Sequence, residues 1–379
     1  IFMPKAQLKL ANGALAKSLL FIQCRMYFKL TFQAPCEYYG NCGGCSIQHI
    51  ENHGEYKFSQ LKKSLEVIKT EFILHPIFQV AQKSRRRVSF KVENNRLSLN
   101  KARSHHKIAI DHCLLLRNEL NELIKPINKL LKRTTSQITA VNMLSSDSGV
   151  ELLFIAKETS NLADEQLLSN FASQNKIARI AWQTKDQPPY MIIQLSPIQI
   201  KFDNVNVNLP INSFLQVSNE SSNLMSKIIA KHLEEGKQTL ELYCGCGSFT
   251  VPIANKTQAN IYAIEGSQEA INALNKATNN NSFKIKTSVR DLYQNPLSTS
   301  ELEDYSQIVI NPPRNGAGPQ IRQIAKTKKV KRVIMVSCSV ENFIRDSLSL
   351  IERGFKLTEI YPIDQFLYSK HLELVAVFL

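Results

Sequence analysis

Thr239-Leu240-Glu241-Leu242-Tyr243-Cys244-Gly245-Cys246-Gly247 is the stretch from which the fold is read. Its first five residues have the pattern of a strand, and Gly245-x-Gly247 directly after them lets the backbone turn tightly and approach a ligand without a Cβ in the way. Before it, Leu224, Met225, Ile228, Ile229 and Leu233 fall three or four apart, which predicts a helix beginning near Asn219 and ended by Gly236. After it, strand patterns recur at 261–264, 283–287, 307–310, 333–337, 356–361 and 372–379, with helical stretches between them. This βαβ alternation predicts an α/β domain with a mainly parallel, doubly wound sheet and ligands at the carboxyl ends of its strands.

Working outward, residues 76 to about 215 read as a mixed α/β unit. Its β signals are 88–99 with an Asn94-Asn95 turn, 150–155 and 191–202, and helical spacing covers 117–131 and 162–171. Residues 52–74 read as a helix. Ahead of it stands Cys36-x5-Cys42-Gly43-Gly44-Cys45, in which two glycines let the backbone wrap closely round a bound centre. Cys113 is the best-placed fourth ligand by type. Three cysteines and a remote fourth suit an iron–sulfur cluster or a structural zinc, the cluster being the preferred reading. Cys24 falls outside this pattern. The chain starts at Ile1; residues 1–25 read as an extension, with Met26 as the expected start.

Lys and Arg number 47 against 32 Asp and Glu, a net charge of +15, so a polyanion is the first partner to consider. Nine Lys or Arg and a single acid, Glu93, lie between positions 83 and 107. The Val88-x-Phe90-x-Val92 alternation there predicts a strand with basic side chains turned outward to phosphates. Lys326 to Arg332 is a second basic run. Eight cysteines in 379 residues, irregularly placed, do not form a secreted disulfide framework, and a reducing cytosol is the expected setting. No apolar stretch reaches membrane length. A monomer is expected.

The chemistry is read at the strand ends. Glu265 ends the second strand, where a carboxylate can take both hydroxyls of an adenosine ribose, and Asp291 follows the third, in place for the adenine amino group. A dinucleotide-binding fold shares the glycine and acid pair but normally has a third glycine, where Phe249-Thr250-Val251 stands here. S-adenosylmethionine is therefore preferred over NAD. Asn311-Pro312-Pro313-Arg314 closes the fourth strand; Arg314 occupies the place where amino-methylating enzymes carry an aromatic residue, which argues against adenine N6 methylation. Val336-Ser337-Cys338-Ser339 delivers a thiol to the same edge of the sheet, and Glu373 follows His371 on the last strand.

A pyrimidine C5 becomes nucleophilic only after a nucleophile adds at C6. Cys338 suits that role, since a thiolate is strongly nucleophilic and its pKa can be lowered by nearby positive charge, and Glu373 is the candidate base for the C5 proton. Cys244 and Cys246 are expected to pack within the glycine loop.

These residues resemble the RNA (uracil-5-)-methyltransferase family from about Met26 to Leu379. The resemblance implies a Rossmann-like class I methyltransferase domain, S-adenosylmethionine, a flipped uridine and a covalent thioether to Cys338, with Glu373 as base. Phe214-x-Gln216 is similar to the family's Phe-x-Gln segment, which implies Phe214 near the target base, together with Arg314, and Gln216 near the cofactor. Tyr243, Gly245, Ser248, Glu265, Asp291 and Asn311 match the cofactor side. Cys36, Cys42, Cys45 and Cys113 match the four [4Fe-4S] ligands of rRNA-modifying members.

An Asn at 311, and no room before Cys36 for an oligonucleotide-binding barrel, are similar to the shorter branch that methylates uridine 747 of 23S rRNA. The terminal motif departs from the usual Asp-x-Phe-Pro-His-Thr, reading Asp364-Gln365-Phe366-Leu367-Tyr368-Ser369. The expected division is an extension at 1–25, a cluster segment at 26–75, an RNA-contacting unit at 76–215 and a catalytic domain at 216–379. The alternatives are another 23S uridine, at position 1939, uridine 54 of tRNA, or an RNA-binding protein that has lost catalysis.

Overall fold

The computed structural model describes residues 32–379. The expectations for the N-terminal extension, Cys24 and Met26 lie outside the described residues. The first helix, α1 (His53–Leu65), is capped by Asn52, whose side chain accepts from the Glu55 N–H. It is shorter than the predicted 52–74. Leu61, Leu65 and Ile68 keep helical spacing and enter one core cluster, but Ile68 does so from a turn. The chain then runs out into two short strands, β1 (Ile73–Leu74) and β2 (Phe78–Gln79).

The middle unit is a seven-stranded sheet built from β3 (Arg87–Glu93), β4 (Arg96–Asn100), β5 (Lys107–Ala109), β6 (Ile138–Ser145), β7 (Val150–Ala156), β8 (Arg179–Thr184) and β9 (Tyr190–Gln194). Its order is β5-β4-β3-β6-β7-β8-β9. Helices α2 (Asn118–Leu131) and α3 (Leu162–Asn175) pack on it. Asn94 and Asn95 turn the first hairpin with φ of +51° and +56°, the left-handed region that asparagine tolerates and a two-residue hairpin turn requires. The β signal at 191–202 resolves into two strands, because Pro197 has no N–H to give a ladder. Only β9 joins this sheet; β10 (Gln199–Phe202) pairs solely with β11 (Val205–Asn208). Strands β5, β6, β8 and β11 were not anticipated.

From α4 (Asn219–His232) the alternation is regular: β12 (Gln238–Leu242), α5 (Thr250–Thr257), β13 (Asn260–Glu265), α6 (Gln268–Thr278), β14 (Ile285–Val289), α7 (Thr299–Leu302), β15 (Gln307–Ile310), α8 (Gly318–Ile324), β16 (Arg332–Ser337), α9 (Val340–Ile351), β17 (Leu357–Asp364) and β18 (Glu373–Phe378). The sheet runs β1-β17-β18-β16-β15-β12-β13-β14, with β2 also on β17. Alternate residues of β16 enter different core clusters, Ile334 and Val336 on one side and Val333 and Met335 on the other, so this sheet is buried on both faces. Strands β12 to β16 pair in parallel, whereas β18 runs antiparallel between β16 and β17.

Candidate active site

Strand β12 has β13 on one side and β15 on the other, so the chain order reverses at its edge and the loops leaving the two halves part into a crevice. Tyr243, Gly245 and Gly247 take the turn after β12 with φ of +63°, +57° and +93°. A Cβ on Gly247 would stand 2.5 Å from Leu274 Cδ1, so the loop reaches this shape only with glycine there. Glu265, at the end of β13, accepts from the Gly245 N–H through Oε2 at 3.0 Å and from Gly266 and Ser267 through Oε1. Asn311 donates its N–H to Leu242 O at 3.2 Å and starts the loop off β15.

These loops surround a cleft of about 840 Å³, within the size range of small-molecule sites. It is lined by Tyr243, Gly245, Glu265 and Asn311 from the expected cofactor set, and by Phe214, Gln216, Arg314, Cys338 and Glu373. Cys244 and Cys246 are buried, as expected of packing residues. Two residues depart from the expected set. The left-handed Gly247 swings Ser248 towards α4, where its carbonyl accepts from the Ser226 hydroxyl, and Ser248 lines a different cavity. Asp291 is exposed and does not line the cleft; its Oδ1 accepts from the N–H groups of Tyr293 and Gln294. Burial, with the charges of Asp291 and Glu265 behind it, pushes the Tyr243 phenol up to about 12.

Antiparallel pairing brings the nucleophile and base candidates together. Ser337 stands opposite Leu374 in the β16–β18 register, so Cys338, just past the end of β16, meets Glu373, the first residue of β18. Burial raises the Glu373 carboxyl to about 7, against the N–H that Gln365 gives it. The Cys338 thiol is raised as well, by burial first and then by the Glu373 charge; its own backbone and Arg314 pull the other way without winning. Arg314 is thus a nearby positive charge that lowers the thiol, but burial outweighs it. Arg314 also reaches His371, Nη2 to Nε2 at 3.3 Å.

Three features were missed in the sequence. Gln365, which is buried, donates through Nε2 to Glu373 Oε2 at 2.6 Å and to Gln216 Oε1 at 2.9 Å, while its Oε1 accepts from the Ser221 hydroxyl at 2.8 Å. Lys57 forms a buried pair with Asp364. The third is Arg86, at 1% exposure: it is not turned to solvent but donates to Gln216 O at 2.7 Å and to Asn219 Oδ1. The outward basic strand is thus corrected at this position. Arg86 lies just before β3, where its backbone bonds Val217 and Ser145 and its side chain is drawn inward. Arg87 does face the cleft, with its guanidinium carbon 4.4 Å from the centre of the exposed Phe214 ring. Gln365 stands at the unspecified second position of the terminal motif and carried no signal, and Arg86 carried none either, because its charge disguised it.

Cys36, Cys42, Cys45 and Cys113 share one neighbourhood. Cys45, pushed up to about 12 mainly by burial, also feels the charges of the other three, and Arg85 lies near Cys113 and Cys45. Gly44 donates its N–H to Cys42 Sγ at 3.4 Å, and a Cβ on Gly43 would come 3.0 Å from Asn100 O. Among the described residues, however, no group of three or more His, Cys, Asp or Glu side chains is gathered closely enough to hold a metal ion. A preformed metal centre is therefore not what the geometry shows. Nor, among the described residues, is any helix long and apolar enough to cross a membrane.

A family model described as tRNA (uracil-5-)-methyltransferase matches residues 55–379. The chain is 32% identical over 362 residues to an uncharacterized RNA methyltransferase of Caulobacter vibrioides, covering 90% of this chain and 85% of that one. It is 28% identical over 364 residues to the 23S rRNA (uracil(1939)-C(5))-methyltransferase RlmD of Shewanella amazonensis, covering 91% and 81%. Among solved structures, the Pyrococcus abyssi tRNA (uracil-54, C5)-methyltransferase in complex with S-adenosyl-L-homocysteine superposes with a TM-score of 0.70 at 21% identity, covering 89% of this chain and 86% of that one. That last likeness is one of fold.

Proposed function

The chain belongs to the tRNA (uracil-5-)-methyltransferase family, a family of RNA uracil C5-methyltransferases, and from that premise we propose that it methylates C5 of one uridine of 23S rRNA, position 747 being the expected target. The observation that supports the chemistry is the meeting of Cys338 with the buried Glu373 at the cleft. Residues 26–75 would hold the cluster, 76–215 meet RNA and 216–379 carry out the transfer.

In this reading Cys338 Sγ, as thiolate, bonds to uracil C6, and the C5–C6 π pair moves into an enolate across C5, C4 and O4. When bound, S-adenosylmethionine supplies an electrophilic methyl group to C5. Glu373 then takes the C5 proton, the C–H pair restores the double bond, and the Cys338 thiolate leaves. Residues fitted to hold the cofactor are Gly245, whose α-carbon faces open space, and Tyr243, Glu265 and Asn311. Phe214, 65% exposed in the cleft wall and covered by Arg87, is suited to stack on a base.

The four cysteines fit a [4Fe-4S] cluster by the chemistry of their donor set. Four thiols within reach of one another's charge, an Arg85 cation near two of them and a backbone N–H aimed at Cys42 sulfur support that assignment, and binding a cluster would draw the thiolates closer than they stand here.

The Shewanella relative supports a second reading, in which the uridine is position 1939. The deciding experiment supplies the purified protein with labelled S-adenosylmethionine and either 23S rRNA or tRNA from cells lacking the gene, then maps 5-methyluridine. Label at uridine 747 is the expected result. Label at 1939 or in tRNA moves the target, and label at no uridine overturns the activity.

A further inference from the structure

Gln216 is buried at 4% exposure yet lines the cleft, and its side chain makes one hydrogen bond among the described residues, accepting through Oε1 from Gln365. The direction of that bond is not arbitrary. Glu373 can take a proton only when ionised, and in that form its carboxylate only accepts, so the nitrogen of Gln365 faces Glu373 Oε2. The same nitrogen's second N–H points to Gln216, and the Gln365 oxygen is engaged by Ser221. Gln216 therefore meets Gln365 with its oxygen and turns its NH2 towards the cleft.

We propose that Gln365 is a positioning residue that sets base specificity: it locks the Gln216 amide so that the cleft presents an N–H donor, which accepts the C4 carbonyl of uracil and rejects the C4 amine of cytosine. This rests on the reading of Cys338 and Glu373 given above. Glu373 must reach C5, and Gln365 ties it directly to Gln216, so the group beside Gln216 is the substituent on C4, the carbon next to C5. The same N–H is placed to stabilise negative charge on O4 once Cys338 has added to C6. One buried amide thus joins the base that removes the proton to the donor that chooses the pyrimidine.

The test uses target-site RNA carrying 5-fluorouridine or 5-fluorocytidine, on which the covalent adduct persists because C5 has no proton to lose, together with unmodified RNA mapped for 5-methyluridine. The wild-type chain is expected to trap 5-fluorouridine and to leave 5-fluorocytidine free. Gln365→Leu frees the Gln216 amide to rotate and lowers that preference about tenfold, the value of one hydrogen bond. Gln365→Glu shares a proton with Glu373 and offers its other oxygen to the Gln216 NH2, turning the Gln216 carbonyl to the cleft, so the preference moves further towards 5-fluorocytidine. Ser221→Ala removes only the hydroxyl that pins Gln365 and carries the test if the Gln365 variants do not fold; it narrows the preference by a smaller factor.

A wild-type chain that uses uridine while folded variants keep its full preference overturns the proposal alone. So does a change in KM for S-adenosylmethionine with base preference unmoved, which would assign the Gln216 donor to the cofactor. A wild-type chain that modifies neither base overturns the reading beneath it as well.

Discussion

Replacing Lys57 with Met should destabilise the chain by about 3–5 kcal/mol, the cost of breaking a buried ion pair from one side. Lys57 Nζ lies 2.5 Å from Asp364 Oδ1, and the two side chains are 1% and 0% exposed. The same ammonium donates to Phe366 O at 3.1 Å and His371 O at 3.3 Å, so it closes the loop between β17 and β18 at both ends. Burial lowers the Lys57 pKa in spite of Asp364, so the pair is held at some expense of solvation. Met leaves the Asp364 carboxylate with only the Gln79 amide, 3.2 Å away, and strips both carbonyls of a donor. Asp364→Leu should cost a similar amount. The double variant should cost less than the sum, because no lone buried charge remains. Urea unfolding followed by circular dichroism measures the cycle. Trp182, the single tryptophan, is buried in the other sheet, so its fluorescence separates that unit from the catalytic one. A loss under about 1 kcal/mol in Lys57→Met, or simple additivity in the double variant, would refute the argument.

Three further outcomes are expected. The Glu373 carboxyl, raised to about 7 by burial, must be ionised to take a proton, so adduct breakdown should accelerate as pH climbs through 7 and level off above it; Glu373→Gln should stall at the methylated adduct across that range, as a denaturing gel with labelled cofactor will show. Arg87→Ala should weaken RNA binding and reduce its salt dependence by about one unit of slope, while Arg86→Met should leave the slope alone and lower the unfolding midpoint. Protein purified without oxygen should be brown with roughly four irons per chain, and Cys36→Ser or Cys113→Ser should bleach it; a colourless protein would remove the cluster but not the methyl transfer.

The centre of the catalytic sheet was legible because four of its strands, β12, β13, β15 and β16, are short, largely apolar runs closed by a residue with chemistry of its own: Tyr243, Glu265, Asn311, Cys338. Burial on both faces makes such runs stand out. The middle unit was harder. Stretches 162–171 and 117–131 read as helices from spacing, but β8, Arg179–Thr184, carries a buried arginine paired with Glu151 that breaks the apolar run. Arg86 and Lys57 escaped for the same reason. Charge in a sequence reads as surface, and only the fold reveals a carbonyl cluster or a carboxylate waiting inside.

The position of Glu373 also depends on a choice the sequence does not advertise, the direction of β18. In a wholly parallel sheet a residue at the start of the last strand would lie at the amino edge, the full length of a strand away from Cys338. Running β18 antiparallel between β16 and β17 puts its first residue at the carboxyl edge instead. The loop that makes this reversal, residues 365–372, must then be held firmly, since an error in it displaces Gln365 and Glu373 together. It is held by residues far upstream in the chain: Lys57 takes the carbonyls at its ends, and the N–H groups of Ser46 and Ile47, next to Cys45, donate to the carbonyl of Tyr368 at its tip. Tyr368 itself adopts a φ of +64°, a conformation that a bulky residue keeps only where its surroundings enforce it. The cysteine segment is therefore part of the scaffold that positions Glu373, and damage to it should reach the cleft through this loop even with every lining residue intact.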